Sequence, residues 1–253
     1  MELRFFSYEL TGEPFRLFSL PHLVALAVCL AVSILIYLFR KRLQETITDR
    51  LVRYILAGLL LLTEIFFQLW HLWTGYWSSA YTLPLQLCSV SLLFSIWMLL
   101  TNSYRLFEIT YFIGLGGAAS AMFTPELFYP FPHVRFFHFF IAHAAIIWAS
   151  LYMTWVKQYQ PTLVSIWKTM GLLNGLLVVA LIVNKGTGGN YMFVSHKPGN
   201  PSLIDYLGPY PWYILSLEVV AVVIFFLLYL PFVISRMFKP LKSSKSSEHS
   251  LDI

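Results

Sequence analysis

The sequence predicts an all-α protein, a polytopic membrane bundle of seven transmembrane helices with its N-terminus outside and its C-terminus in the cytoplasm. Three observations predict this fold: the composition, the lengths of the apolar runs and the distribution of Lys and Arg. Of the 253 residues, 58% are hydrophobic and only 11% are charged. A water-soluble globule of this composition would lack the polar residues to cover its surface. We therefore expect a multi-pass integral membrane protein.

The spans follow from runs of about 18 to 25 mostly apolar residues, the length that crosses about 30 Å of hydrocarbon. They are expected at residues 20–39, 51–73, 84–101, 106–123, 136–157, 165–184 and 210–236. Pro21, Pro84 and Pro211 mark helix starts, and polar or Gly/Pro-rich stretches separate neighbouring runs. Residues 1–238 thus form one predicted transmembrane domain. The Lys/Ser-rich residues 239–253 predict a disordered cytoplasmic tail.

The orientation follows from the basic residues, because cytoplasmic loops retain positive charge. The first, third and fifth connections and the C-terminal tail hold twelve of the 17 Lys and Arg residues. This places the N-terminus outside. Because the basic residues flank apolar runs, they indicate membrane orientation, and a nucleic-acid partner is not expected.

Most of the reactive side chains fall at one end of this predicted bundle. With the N-terminus outside, that end is the outer one, and it holds Cys88 and four histidines, His71, His133, His138 and His143. Ionisable groups at membrane depth are costly and usually functional. The sequence therefore predicts a site at the outer end.

A polar stripe follows the second predicted span. Glu64, Gln68 and His71 are spaced i, i+4, i+7 and so share one helix face. An acid facing lipid is strongly disfavoured, so this face is expected to point into the bundle. The stripe either joins helices through buried hydrogen bonds or lines the polar wall of a pocket.

Cys88 and the histidines of the fifth predicted span form a candidate nucleophile and base. Cys88 lies near a helix N-terminus, where the backbone dipole favours the thiolate. The alternative interpretation is that Cys88 is a small hydrophobic residue buried between helices. A neutral imidazole can accept a thiol proton and return it later. Because His138 and His143 are five residues apart, they point about 140° away from each other, and only one is expected to face the thiol.

Metal and cofactor sites have weaker support. Three histidines with Glu64 would suffice for zinc and two histidines for haem, but neither an HxxxH nor an HExxH pair occurs. Residues 210–235 contain no lysine for a retinal. Gly114, Gly116 and Gly117 lack the pattern of a nucleotide-binding loop and indicate close helix packing. No metal and no cofactor is therefore predicted, with a zinc hydrolase kept as an alternative.

Several segments together resemble a known family. They are Leu83–Ser89 (LPLQLCS), Arg135–His143 (RFFHFFIAH), Asn190–Phe193 (NYMF) and Leu207–Leu215 (LGPYPWYIL). From the second span to the seventh, the chain resembles the YwaF-type bacterial integral membrane proteins. The resemblance implies the same multi-span architecture and a place in the bacterial plasma membrane.

More distantly, the chain is similar to the eukaryotic multi-span acyltransferase that transfers polyunsaturated acyl chains onto ether phospholipids, and to the androgen-induced hydrolases of fatty-acid esters. The resemblance to the acyltransferase implies that Cys88 accepts the acyl group and that His143, or else His138, is its partner. The hydrolases use threonine in place of cysteine, so they support the architecture more than the mechanism.

The sequence therefore predicts a membrane lipid acyltransferase or lipid ester hydrolase that acts on a membrane phospholipid or another lipid ester. Cys88 would attack the ester, with His143 or His138 as general base. Gln86 or Asn184 would stabilise the oxyanion. The polar side of the pocket would be lined by Glu64, Gln68 and His71. A small-molecule or proton-coupled transporter or binding protein, in which the polar stripe forms the substrate path, is the other class of function.

Overall fold

The computed structural model describes residues 5–10, 13–200 and 202–238. These residues contain no β-strand, which agrees with the predicted all-α class. The helices are α1 (Leu20–Leu38), α2 (Arg40–Leu43), α3 (Thr46–Thr74), α4 (Leu87–Thr101), α5 (Tyr104–Phe112), α6 (Ala118–Phe123), α7 (Val134–Trp155), α8 (Leu163–Thr187) and α9 (Trp212–Met237). The predicted tail, residues 239–253, lies outside the described residues.

Six helical segments of the described chain are long and apolar enough to cross a membrane. The remaining predicted span, the third at residues 84–101, is shorter than expected. Its helix, α4, starts at Leu87 and has 15 residues, which is about 22 Å at 1.5 Å per residue. The structure thus supports a helical membrane bundle, while seven crossings and the orientation of the termini stay predictions.

The fourth predicted span contains a local change of helix type. Between α5 and α6 the backbone of Ile113–Gly117 forms a π-helical turn. The whole segment Tyr104–Phe123 is one continuous apolar helical segment. Cβ atoms added at Gly114 or Gly116 would lie within 3.3 Å of side chains of α7 or α9. The predicted close packing at these glycines is confirmed.

The centre of the bundle is α7. This helix packs on α1, α3, α4 and α5, and 13 of its 22 residues are buried. The alanines Ala142, Ala144, Ala145 and Ala149 are all buried there, and small side chains let helix backbones approach closely. By contrast, only Tyr213 and Phe225 of α9 are buried, and this helix packs on α8 and on the π-helical turn. The polar groups of α7 must therefore find their partners inside the protein.

An irregular segment precedes α4 and explains its late start. Tyr191, which is fully buried, accepts a hydrogen bond from Leu83 N at 2.9 Å and donates one to Ser79 O at 2.7 Å. Gln68 Nε2 donates to Thr82 O at 2.8 Å. Irregular backbone is tolerated at membrane depth only when its polar groups are satisfied by the protein. These side chains satisfy them, so the segment need not be helical.

The opposite end of the bundle is held by two buried carboxylates. Asp49 forms ion pairs with Arg53 at 3.2 Å and with Lys157 at 3.0 Å. Glu108 pairs with Lys168 at 2.8 Å and accepts a hydrogen bond from Ser165 at 2.6 Å. A buried charge needs a partner of opposite sign or its desolvation is not offset. These pairs join α3 to the chain just after α7, and α5 to α8.

The close approach at the π-helical turn is tested by Gly114→Leu. A Cβ at Gly114 would lie 3.1 Å from both Ile146 Cγ2 and Ser150 Oγ, so a longer side chain overpacks the contact with α7. The free energy of unfolding in detergent micelles should fall by about 1 to 3 kcal/mol. Gly171→Leu is the matched control, because a Cβ there has nothing within 4 Å. Equal losses in the two variants would contradict the packing.

Candidate functional site

An aromatic cluster gathers two of the predicted histidines at the end of the bundle where α7 begins. The ring of Phe67 lies 4.3 Å from that of His71 and 5.6 Å from that of His138, centroid to centroid. The guanidinium carbon of Arg135 lies 4.7 Å from the same ring and 5.5 Å from that of Trp70. These residues come from α3 and α7 and are called the Phe67 cluster below.

His138 has both ring nitrogens occupied. Arg135 Nη1 donates to His138 Nδ1 at 2.7 Å, so that nitrogen carries the lone pair. Nε2 therefore carries the proton and donates it to Thr63 O at 3.0 Å. His138 connects α7 to α3, and it has no free nitrogen with which to take a proton from a thiol.

His143, by contrast, keeps a nitrogen free. Its Nδ1 donates to Phe139 O, one turn earlier, at 2.7 Å. A carbonyl only accepts, so Nδ1 carries the proton and Nε2 carries a lone pair. Nε2 has no hydrogen-bond partner in the described part of the chain. His143 is buried and stacks on Phe139 with 4.1 Å between ring centroids, which fixes the direction of its ring.

His71 has the same arrangement on α3. Its Nδ1 donates to Phe67 O at 2.8 Å, which leaves Nε2 as an acceptor. The ring is buried between aromatic side chains, with Trp70 at 4.8 Å and Tyr8 at 6.0 Å between centroids. Two of the four predicted histidines, His71 and His143, therefore have an unprotonated Nε2.

The predicted stripe of α3 forms a network. Gln68 Nε2 donates to Glu64 Oε1 at 2.9 Å and to Thr82 O at 2.8 Å, and Gln68 Oε1 accepts from Trp77 Nε1 at 3.0 Å. Glu64 is partly buried and lies close enough to Arg135 for the two charges to interact, although they form no ion pair. Glu64 and Gln68 thus connect the Phe67 cluster to the segment that leads into α4.

Cys88 is the second residue of α4, in its first turn, and is partly exposed. Its sulfur forms no hydrogen bond with any residue that the structure describes. The helix that carries it packs against α7, the helix of His143. The thiol and the imidazole thus belong to neighbouring helices that begin at the same end of the bundle.

Hydrogen bonds also fix the relative depths of these elements. The bond from His138 to Thr63 O places these two residues at one level. Gln68 is five residues, about 7.5 Å, nearer to the end of the bundle than Thr63, and it holds Thr82. Thr82 is therefore level with the start of α7. From Thr82 the chain turns inward to Cys88, into the range of depths that the first turns of α7 occupy.

Gln86 and Asn184, the two predicted oxyanion donors, both bind the loop that follows α8. Gln86 Oε1 accepts from Met192 N at 3.0 Å, which leaves its amide NH₂ without a described partner. Asn184 is buried, and its two polar atoms bind Tyr191 N at 2.8 Å and Tyr191 O at 3.1 Å. As a donor to an oxyanion, Asn184 would have to break a loop contact, whereas Gln86 would not.

Sequence reasoning missed Arg135 and Tyr191 as parts of this region, and it placed His133 at this end of the bundle without predicting its role as a helix cap. Arg135 was detectable, because a charged residue in the first turn of an apolar helix is costly and usually functional. His133 caps α7: its Nδ1 accepts from Arg135 N at 3.1 Å and its Nε2 donates to Ser7 O at 2.8 Å. Both partners of His133 are backbone atoms, so no pattern of side chains in the sequence predicts these hydrogen bonds.

In the described ranges, no three His, Cys, Asp or Glu side chains are grouped so that they could hold a metal ion. His133 and His138 use both ring nitrogens in hydrogen bonds within the protein. The arrangement therefore offers acid, base and hydrogen-bonding chemistry rather than a ready-made set of ligands.

A family model described as the TMEM164 family matches residues 17–229, well over half of the chain. The chain belongs to the TMEM164 family. The match to this family covers the Phe67 cluster, Cys88, His143 and the loop after α8, and it supports a multi-pass membrane protein. The chain has no significant match among curated proteins or among solved structures. For this TMEM164 family member, the resemblance to the YwaF-type proteins stays a prediction.

Protonation of His133 is expected to weaken the cap of α7. Burial lowers the pKa of His133 below its ordinary value; the bond to Ser7 O opposes this shift, and the charge of Arg135 adds to it. Because the folded pKa lies below the unfolded value of about 6.5, the contribution to stability is complete above about pH 6.5 and is lost as the pH falls. The free energy of unfolding should therefore decrease between about pH 7 and pH 5.

The variant His133→Asn isolates this contribution. Asparagine keeps an acceptor for the helix cap but does not titrate, so the decrease in the free energy of unfolding on acidification should be smaller than in the wild type. His196→Asn, in an exposed loop, is the control and should keep the wild-type pH dependence. A pH dependence of His133→Asn equal to that of the wild type would contradict the assignment.

Proposed function

We propose that this protein is a membrane lipid acyltransferase or lipid ester hydrolase with Cys88 as nucleophile and His143 as general base. The observation that carries the proposal is the hydrogen bond from His143 Nδ1 to Phe139 O, which leaves Nε2 unprotonated on a helix packed against α4. A base must offer a lone pair to the group it deprotonates. His138 offers none, since Arg135 and Thr63 occupy its two nitrogens.

The first half-reaction breaks an ester of a membrane lipid. His143 Nε2 takes the proton of the Cys88 thiol, and the sulfur attacks the ester carbonyl carbon. As the tetrahedral intermediate collapses, a carbon–sulfur bond has formed and the carbon–oxygen bond of the ester breaks. The proton on His143 passes to the leaving oxygen, which departs as the alcohol of a lysolipid. The product on the protein is an acyl thioester.

The second half-reaction returns the protein to its starting state. His143 Nε2 takes a proton from the hydroxyl of an acceptor, and the acceptor oxygen attacks the thioester carbonyl. The carbon–sulfur bond breaks, and the proton returns to the sulfur. With a lysolipid as acceptor the reaction is acyl transfer, and with water it is hydrolysis.

Gln86 is the better of the two predicted oxyanion donors. Its amide NH₂ has no described partner, it lies two residues before Cys88, and its Oε1 is held by Met192 N. A donor fixed in this way needs no reorganisation when charge develops on the carbonyl oxygen. Glu64, Gln68 and His71 would face the polar part of the bound lipid, and Asn184 positions the loop that carries Met192.

The nucleophile is tested with an acyl-chain activity probe on the full chain in membranes. Cys88→Ala should abolish covalent labelling, because alanine has no sulfur to attack the probe. Cys29→Ala is the matched control; Cys29 is buried in α1, and its removal should leave labelling unchanged. Undiminished labelling of Cys88→Ala, with the protein folded and inserted, would reject the cysteine mechanism.

The base is tested by comparing His143→Gln with His138→Gln. Loss of a general base costs roughly 10²- to 10⁴-fold in rate, so His143→Gln should slow lipid turnover by that factor at unchanged protein stability. His138→Gln should lower the free energy of unfolding, because it disrupts the link between α7 and α3, with a smaller effect on turnover per folded molecule. The reverse ranking of the two turnover rates would assign the base to His138.

A further inference from the structure

Arg135 is a charged side chain that forms no ion pair with any described residue. At the other end of the bundle, both buried carboxylates, Asp49 and Glu108, form ion pairs. None of the ion pairs in the described ranges includes Arg135. A guanidinium stays charged under all ordinary conditions, and a charge inside a bundle is costly without compensation.

The contacts of Arg135 hold its guanidinium in place without neutralising it. Nη1 donates to the neutral His138 at 2.7 Å, and the aromatic faces of Phe67 and Trp70 lie at 4.7 and 5.5 Å. Nε is buried and has no hydrogen-bond acceptor in the described structure. Glu64 acts on Arg135 only through space. The guanidinium of Arg135 is therefore held in one orientation, and its Nε–H remains available as a donor.

The unused donor indicates the chemistry of the missing partner. Nε lies on one edge of the guanidinium. In general, such an edge can donate two parallel hydrogen bonds to two oxygens of one anion. Phosphate groups present oxygens with this spacing, and charge-assisted bonds to them are about twice as strong as neutral ones. The partner that fits is an anion that bears at least two oxygens on one centre.

The position of Arg135 favours a lipid over a free ion. Arg135 is the second residue of α7, at the end of an apolar helix long enough to cross a membrane. The ends of such helices lie near the polar headgroups, where phospholipid phosphates reside. Its neighbour Trp70 also lines an open apolar groove of about 220 Å³ together with Phe6, Phe66, Leu69 and Trp73. Leu69 and Trp73 are 58% and 73% exposed, as expected of a surface that faces acyl chains.

From these contacts we infer that Arg135 binds the phosphate of a membrane phospholipid, with the lipid's acyl region against the groove beside Trp70. As a statement about the substrate, this inference rests on the proposed function. As a binding site it is independent of Cys88, so Cys88→Ala must still bind the phospholipid. A Cys88→Ala variant that binds the phospholipid but no longer turns it over would support both the catalytic role of Cys88 and the binding site at Arg135.

The test measures binding to the purified full chain in detergent micelles. The probes are dioctanoyl phosphatidylglycerol, dioctanoylglycerol, which lacks the phosphate, and inorganic phosphate. The wild type should bind the phospholipid saturably and at least tenfold more tightly than dioctanoylglycerol. Arg135→Gln should weaken phospholipid binding at least tenfold. Arg135→Lys keeps the charge but not the paired donors, so its phospholipid affinity should lie between those of the wild type and Arg135→Gln. It replaces Arg135→Gln in the test if that variant does not fold.

Arg105→Gln is the matched control, because Arg105 is exposed at the start of α5, and its phospholipid affinity should equal that of the wild type. Equal affinity for inorganic phosphate and for the phospholipid, lost in Arg135→Gln, would support the anion site and assign it to a free ion. Unchanged phospholipid affinity in folded Arg135→Gln, or equal affinity for dioctanoylglycerol, would overturn the inference.

Discussion

The constraint on which the structure depends is the burial of α7 at the centre of the bundle. Because this helix contacts several others and cannot reach water along most of its length, its polar side chains depend on partners within the protein. Two atoms lack such a partner among the described residues, Nε2 of His143 and Nε of Arg135. The N-cap and the first three turns of α7 carry three histidines and an arginine. Backbone carbonyls of Ser7, Thr63 and Phe139 accept the protons of those histidines. Fixed acceptors mean fixed tautomers, and the tautomer decides which imidazole can act as a base.

The loop after α8 closes the same end of the bundle around Tyr191. Asn184 binds both backbone polar groups of Tyr191, whose hydroxyl binds the segment before α4. The next two residues, Met192 and Phe193, both have φ of 56°, a left-handed conformation that costs non-glycine residues free energy and persists only where the surroundings enforce it. Gln86 and Tyr213 hold these two residues at Met192 N and Phe193 O. The strained backbone thus contacts Gln86, two residues before Cys88.

Much of this fold was predictable from the sequence, because span length and helix punctuation depend on local composition. The predicted runs at 20–39 and 136–157 correspond within two residues to α1 and α7. The late start of α4 was not predictable, because the groups that satisfy the segment before it, Gln68 and Tyr191, are distant in sequence. The same reason hid the difference between His138 and His143. Both have the same residue type and similar surroundings, and only their acceptors distinguish them.

The most direct test of the account is the chemical state of Cys88 during turnover. Intact mass spectrometry of the wild type, incubated with phospholipid vesicles that contain no lysolipid acceptor and quenched in acid, should show an acyl adduct on Cys88 that neutral hydroxylamine removes. The adduct should form far more slowly in His143→Gln, which lacks the base that activates the thiol. The adduct should be absent from Cys88→Ala. Lipid turnover by the wild type that proceeds without any thioester at Cys88, under conditions that trap one in a known thioester-forming enzyme, would contradict the account.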